Sequence, residues 1–321
     1  MPEFEELTEK VTRMKYEIQK RVEGYHREID LTLVAIAASG HILFTGVPGL
    51  AKTLLALTIA EVSGCTFKRI QMTPSVMPLD ITGSDIWRPD IQKFEVRPGP
   101  IFANVVLADE LNRTSPKTQS ALIEAMQENT VSIGNETIHL PRPFTVMATR
   151  NPIDHEGTFS LTEANLDRFM FEIEMDYPSE EDEIEIAKQI TEDRVPVEQI
   201  WGQEGWISLS NFVTKNILVS EEIYRWTVAL IRSTREFNRD RIELGASPRA
   251  SKMCIRAAQA HAMLVGKRQY VVPEDVNAVA EPLLRHRLIE RPSLSNERID
   301  WKEFTGELID YAQRKHIKSR I

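Results

Sequence analysis

Between His41 and Leu55 the chain reads HILFTGVPGLAKTLL, and few folds accommodate that order of residues. An apolar run (Ile42, Leu43, Phe44) closes on a turn-forming set, Gly46, Val47, Pro48 and Gly49. Leu50 and Ala51 follow, and Lys52, Thr53 and Leu54 then open an apolar helical pattern. The order is strand, tight loop, helix. It suits an anion, because the backbone N–H groups of the loop and the positive end of the helix converge on one point. In the phosphate-loop pattern G-x-x-x-x-G-K-[ST], the Lys (here Lys52) reaches the β and γ phosphates of a nucleotide and the hydroxyl (here Thr53) sits on Mg²⁺. The stretch therefore predicts ATP and Mg²⁺ as ligands. Ala51 stands where that pattern has its second Gly. The competing reading is a Gly-rich turn that merely joins a strand to a helix.

The rest of the first half supports a parallel sheet. Val105 to Ala108 form an unbroken apolar run, as a central strand buried on both faces requires. Further strands are predicted at Thr66–Gln71, Phe144–Thr149 and Met170–Met175, with helices after Lys52, Gly64 as the cap of the first of these, and another over Pro116–Gln127. Residues 130–140 alternate around Gly134 and Asn135 as a hairpin would. Residues 72–102 are rich in Pro and Gly and read as an inserted loop with a short hairpin or helix. One helical stretch is expected over residues 4–38. After Tyr177 and Pro178 the periodicity is helical almost throughout, with starts at Ser179, at Ser220, at Ser247-Pro248 and at Pro273. The fold class is thus α/β with a parallel sheet, in two domains: 1–178, and an all-α part over 179–321.

Four places carry chemistry. Asp109 and Glu110 directly follow the apolar strand 105–108; beside a phosphate loop, the first could hold the metal and the second act as general base on water. A solvated acidic pair at a strand end is the plain alternative. Asn151 follows another apolar strand and would reach the same carboxyl edge, where an amide could orient the water; alone, Asn-Pro is a turn signal. Arg168, in LDRF, could stabilise transition-state charge or pair with Asp167 or Glu163. Arg249 falls in the first turn of a helix, where a cation is disfavoured by about 0.3–1 kcal/mol. It therefore calls for an anion, either a nucleotide phosphate or a neighbouring carboxylate.

Composition narrows the function classes. A net charge of −9 argues against broad nucleic-acid binding. The 42% hydrophobic content is that of an ordinary globular chain. No apolar run approaches the ~20 residues that span a bilayer, and the charged N-terminus lacks a leader's apolar segment. A cytoplasmic protein without membrane insertion is expected. Cys65 and Cys254 lie far apart with no metal-ligand spacing, which predicts two reduced, buried thiols.

Together, GVPGLAKT (46–53), VVLADELNR (105–113), ATRNP (148–152), GTFSLTEANLDRF (157–169) and GASPRAS (245–251) resemble the MoxR family of AAA+ ATPases. RIQMTPSVMPLDITGSDI (69–86), PKTQSALIEAMQE (116–128) and VVPEDVNAVAEPLLRHR (271–287) are similar to it too. The resemblance implies an AAA+ core followed by a helical lid, with ATP between them, and a ring of copies of the chain, commonly a hexamer. It assigns Lys52 and Thr53 to Walker A, Asp109 and Glu110 to Walker B, and Asn151 to sensor 1. Arg168 would be the finger acting on a neighbouring subunit's ATP, and Arg249 sensor 2. Residues 76–102 resemble the helix-2 insert of this clade and 130–140 its pre-sensor-1 hairpin. At Ala51 the family's own loop is similar. Arg150 departs from it, since Gln is usual before the Asn-Pro. The implied partners are protein clients, remodelled or activated, often alongside proteins with von Willebrand factor A domains. Three other readings share some of these features: a nucleic-acid motor or loader, which the acidic total disfavours; a metal-chelatase motor subunit; and a nucleotide-gated scaffold with little turnover.

Overall fold

Two helices, α1 (Pro2–Gln19) and α2 (His26–Ala37), precede an alternating series in the computed structural model, which describes residues 2–90, 92–151, 158–188, 195–291 and 299–318. Pro152 and Gly157, which belong to two of the quoted motifs, lie outside the described residues. The series runs β1 (Ile42–Thr45), α3 (Lys52–Val62), β2 (Phe67–Gln71), α4 (Pro78–Thr82) and a hairpin of β3 (Gly83–Arg88) and β4 (Lys93–Pro98). It continues with β5 (Val105–Asp109), α5 (Pro116–Glu128), a second hairpin of β6 (Thr130–Ile133) and β7 (Glu136–His139), β8 (Thr145–Arg150), α6 (Glu163–Leu166) and β9 (Phe171–Glu174). Beyond them lie α7 (Glu180–Lys188), α8 (Gln203–Asn216), α9 (Glu221–Ser233), β10 (Ile242–Leu244), α10 (Pro248–Leu264), α11 (Pro273–Leu284), β11 (Ile289–Glu290) and α12 (Trp301–Lys318).

Five strands form one sheet in the order β2-β5-β8-β1-β9, and every pairing in it is parallel. All five carboxyl ends therefore share one edge. Side chains alternate between faces, and the burial shows it. Ile42, Phe44, Val105, Leu107, Met147, Phe171 and Ile173 enter one buried cluster, while Leu43, Val106, Ala108, Val146 and Ala148 enter the other. This double burial is why the strands read as unbroken apolar runs. The first cluster continues through α1, α2 and α3 into the helices beyond Tyr177; the second holds α5 and the start of the insert.

The structure corrects four local expectations. The single helix over residues 4–38 is two, because the chain turns at Gly24 (φ +77°) and buries Tyr25, whose hydroxyl donates to the Asp176 carbonyl at 3.1 Å. The insert holds both a short helix and a hairpin, where one of the two was expected. The second half is not purely helical, since β10 and β11 pair antiparallel. Cys65 is only partly buried, whereas Cys254 is fully so; both are free thiols. Gly64 (φ +58°) ends α3 as expected, in the left-handed conformation that glycine adopts without strain. Among the described residues no helix is long and apolar enough to cross a membrane.

Candidate functional site

The loop after β1 owes its shape to three left-handed or otherwise restricted backbone positions. Gly46 sits at φ +149° so close to the next strand's end that a Cβ there would lie 2.3 Å from the Met175 carbonyl oxygen. Gly49 (φ +91°) turns the chain outward. Ala51 adopts φ +53°, ψ 12° and acts as the N-cap of α3. The missing glycine of the sequence pattern is therefore a genuine left-handed position that an L-residue occupies at a cost of about 1–2 kcal/mol. Lys52, half-buried, folds back to donate to the Gly46 carbonyl. Burial pushes its pKa down, and Asp109 partly opposes that shift.

This loop forms one wall of a cavity of about 440 Å³. Gly46, Pro48, Gly49, Leu50, Ala51, Lys52, Thr53 and Leu54 all line it; Val47 does not, and packs instead against the buried cluster. Across from the loop stand Asp109, Glu110 and Asn151, so the structure brings together residues from the ends of three strands. Arg168 and Arg249 are not among the lining residues. Arg168 is tied to Gln127 Oε1 at 2.9 Å and to the Ala164 carbonyl at 2.9 Å, and not to Asp167 or Glu163. The Arg249 guanidinium lies 3.5 Å from Asp167 Oδ2, so here its anion is a carboxylate.

The opposing wall is held by side chains that the sequence did not single out. Thr149 Oγ1 donates to Asp109 Oδ1 at 2.6 Å and accepts the Glu110 N–H at 2.8 Å, which orders the two acids relative to each other. Arg69 donates twice to Asp109 Oδ2, at 2.6 and 3.0 Å. The Gln71 amide donates to Glu110 Oε2 at 3.0 Å, and the Arg113 guanidinium stands 3.4 Å from the same oxygen. Glu110 itself lies in the left-handed region (φ +60°, ψ 50°), and such strained positions cluster at functional sites. Arg69 and Gln71 face the acids because β2 pairs with β5 in a register that sets Gln71 opposite Asp109. Only that long-range pairing, which no local pattern encodes, could have revealed them.

A second cavity, of about 320 Å³, opens on the other side of the loop and shares Pro48 to Ala51 and Leu54 with the first. Its far walls are Tyr25, Tyr177, Pro178 and Ile186, together with the charged Arg21, Glu23 and Glu183. One loop thus separates a chamber faced by the two acids from one whose rim adds aromatic and aliphatic side chains. Chemically, this is room for an anion on one side and a flat, weakly polar group on the other.

Residues 41–171 match the family described as "ATPase family associated with various cellular activities (AAA)", and residues 235–303 match the family described as "AAA lid domain". The chain is similar to the YeaC protein of Bacillus subtilis (strain 168), 42% identical with 87% of each chain covered. It is also similar to Chaperone MoxR1 of Mycobacterium tuberculosis, 42% identical over 86% of this chain and 75% of that one. A crystal structure of a candidate ATPase from Cytophaga hutchinsonii superposes with a TM-score of 0.89 at 36% identity, covering 96% of both chains.

Proposed function

Since this chain belongs to the MoxR family of AAA+ ATPases, we propose that it hydrolyses ATP and spends the energy on chaperone-like remodelling of protein partners. The observation that carries the reading is the single cavity in which a phosphate-type loop faces two carboxylates and an amide from neighbouring strand ends. The nucleotide's phosphates lie along residues 46–53, and its base enters the chamber rimmed by Tyr25 and Tyr177. Thr53 and Asp109 would hold Mg²⁺. Their hydroxyl and carboxylate oxygens suit a hard cation that completes its shell with phosphate and water, and both line the same cavity. Bound there, the ion would neutralise charge on the phosphate oxygens. Arg69, now on Asp109, would then share that carboxylate.

Lys52 neutralises the developing charge, Glu110 takes the proton of the attacking water, and Asn151 orients that water. Gln71 holds the Glu110 carboxylate in place by its 3.0 Å hydrogen bond, so it sets where the base points. Arg168 and Arg249 stand outside the cavity of their own chain, which supports a role for Arg168 on a neighbouring subunit in a ring, a hexamer by resemblance. Arg249 would join the phosphates when the lid helices move. The partners are protein complexes in the cytoplasm, with von Willebrand factor A domain proteins as the class implied by the resemblance.

Two variants test this. Lys52→Ala should abolish ATP binding. Glu110→Gln should bind ATP normally while kcat falls by about 10²- to 10⁴-fold, the usual contribution of a general base. Full turnover by Glu110→Gln in a steady-state phosphate-release assay would remove Glu110 as the base.

A further inference from the structure

Arg150 ends β8 immediately before Asn151, and its side chain stands on the partition between two chambers. It lines the 440 Å³ cavity together with the loop and the two acids, and also a neighbouring cavity of about 320 Å³ bounded by Asn112, Phe159 and Ser160. Among the described residues its one partner is Glu172, whose Oε1 accepts from the guanidinium at 2.7 Å. Glu172 is 2% exposed, takes a second bond at Oε1 from Thr45 Oγ1 at 2.6 Å, and has no hydrogen bond at its buried Oε2. A carboxylate so deeply placed needs a cation beside it. That requirement accounts for one of the five N–H donors of the guanidinium. The others remain available at the cavity wall, with a third of the side chain exposed.

Lys52 already serves the phosphates from the loop side. The remaining cations near the cavity are otherwise engaged: Arg69 is bound to Asp109, Arg113 lies on Glu110, and Arg168 and Arg249 are absent from the lining. With a base in the chamber of Tyr25 and Tyr177, the phosphates run past the loop toward the strand ends. The terminal one then arrives beside Asp109, Glu110, Asn151 and Arg150. A planar guanidinium matches phosphate oxygens in a way that an amide does not.

We propose that Arg150 contacts the terminal phosphate of ATP in its own subunit, with Glu172 and Thr45 as positioning residues that hold its guanidinium at the cavity wall. The assignment rests on the nucleotide reading above and adds a specificity to it, since ADP lacks the group that Arg150 would touch. The plain alternative makes Arg150 only the counter-ion of Glu172.

Affinities for ATP and for ADP, each with Mg²⁺, measured by titration calorimetry alongside thermal melts, separate the two. Arg150→Gln strands the Glu172 charge and should lower both stability and ATP affinity. In the double variant Arg150→Gln/Glu172→Gln the buried charge is gone. Its melting temperature should recover, while ATP affinity stays at least about tenfold weaker and ADP affinity stays within about twofold of wild type. Arg150→Lys keeps a cation for Glu172 without the planar fork, and should fold normally with a smaller loss confined to ATP. Recovery of wild-type ATP affinity in the double variant, or an equal loss for ATP and ADP in Arg150→Lys, would overturn the proposal. A wild-type chain that bound neither nucleotide would overturn the ATPase reading itself, and the control shows which has failed.

Discussion

Single backbone positions decide the shape of the phosphate loop. Ala51 carries a methyl group at φ +53°, and Gly46 has no room for one, with the Met175 carbonyl oxygen 2.3 Å from where it would be. A methyl group is therefore unfavourable at both ends of the loop, and the two opposite substitutions there have opposite effects. Ala51→Gly should raise the unfolding free energy by about 1 kcal/mol, measured by urea denaturation, because glycine populates the left-handed region without strain. Gly46→Ala should displace the loop from β9 and abolish nucleotide binding. If Ala51→Gly were destabilising, the methyl's packing against the buried cluster would outweigh the backbone strain. Glu110 is the third such residue (φ +60°). Its left-handed turn lets two successive acids, Asp109 and Glu110, both reach the cavity, although alternate residues of a strand point to opposite faces.

At the scale of elements, His41 is the rivet between β1, β8 and α5. Its Nε2 bonds the Met126 carbonyl at 3.0 Å, and its Nδ1 accepts the Val146 N–H at 3.1 Å, which requires the neutral ring. Burial holds its pKa down at about 4, against about 6.5 for an exposed histidine. Below about pH 6.5 the unfolded chain takes up a proton that the folded chain refuses until about pH 4, so stability is full above the first value and falls toward the second. The loss is on the order of 3 kcal/mol. His286, lowered in the same direction by burial and by Arg287, adds to it. Urea midpoints at pH 7 and pH 4.5 should differ clearly less in His41→Gln, whose amide can make both hydrogen bonds without titrating. An unchanged difference would mean that His41 takes no part.

Across the whole molecule, the segment that bears Arg168 is fastened to the helical half. The buried Arg287, just beyond the end of α11, donates to Asp167 Oδ1 at 2.8 Å and to the Phe169 carbonyl at 2.6 Å. Asp167 Oδ2 in turn accepts from Ser247 at 3.0 Å and lies beside Arg249. One carboxylate thus links the residue before Arg168 to the start of α10, so a lid movement that drew Arg249 toward phosphate would be felt next to Arg168. The ring reading makes a specific prediction. Arg168→Ala and Glu110→Gln should each be inactive alone, and mixing them should restore ATPase activity at about a quarter of the interfaces, where an intact Glu110 meets an intact Arg168 from the next subunit. No recovery on mixing would assign Arg168 to its own subunit.

The amino-acid sequence alone determined the order strand, loop, helix, and the positions of the two acids and the amide. These follow from side-chain periodicity and from Gly, Pro and capping residues, whose effects act within a few residues. It also determined the helical character beyond Tyr177. Tertiary structure alone decided that Arg69 and Gln71 hold the acids, that Thr149 orders them, that Arg150 answers a buried Glu172, and that Tyr25 and Tyr177 close a second chamber. Each of these joins segments far apart in the chain, through the strand order β2-β5-β8-β1-β9 and the turn at Gly24. Local propensity carries no record of which strand will lie beside which. That choice is made when two faces of one sheet are buried at once, and the charged side chains at its carboxyl edge take their partners from the outcome.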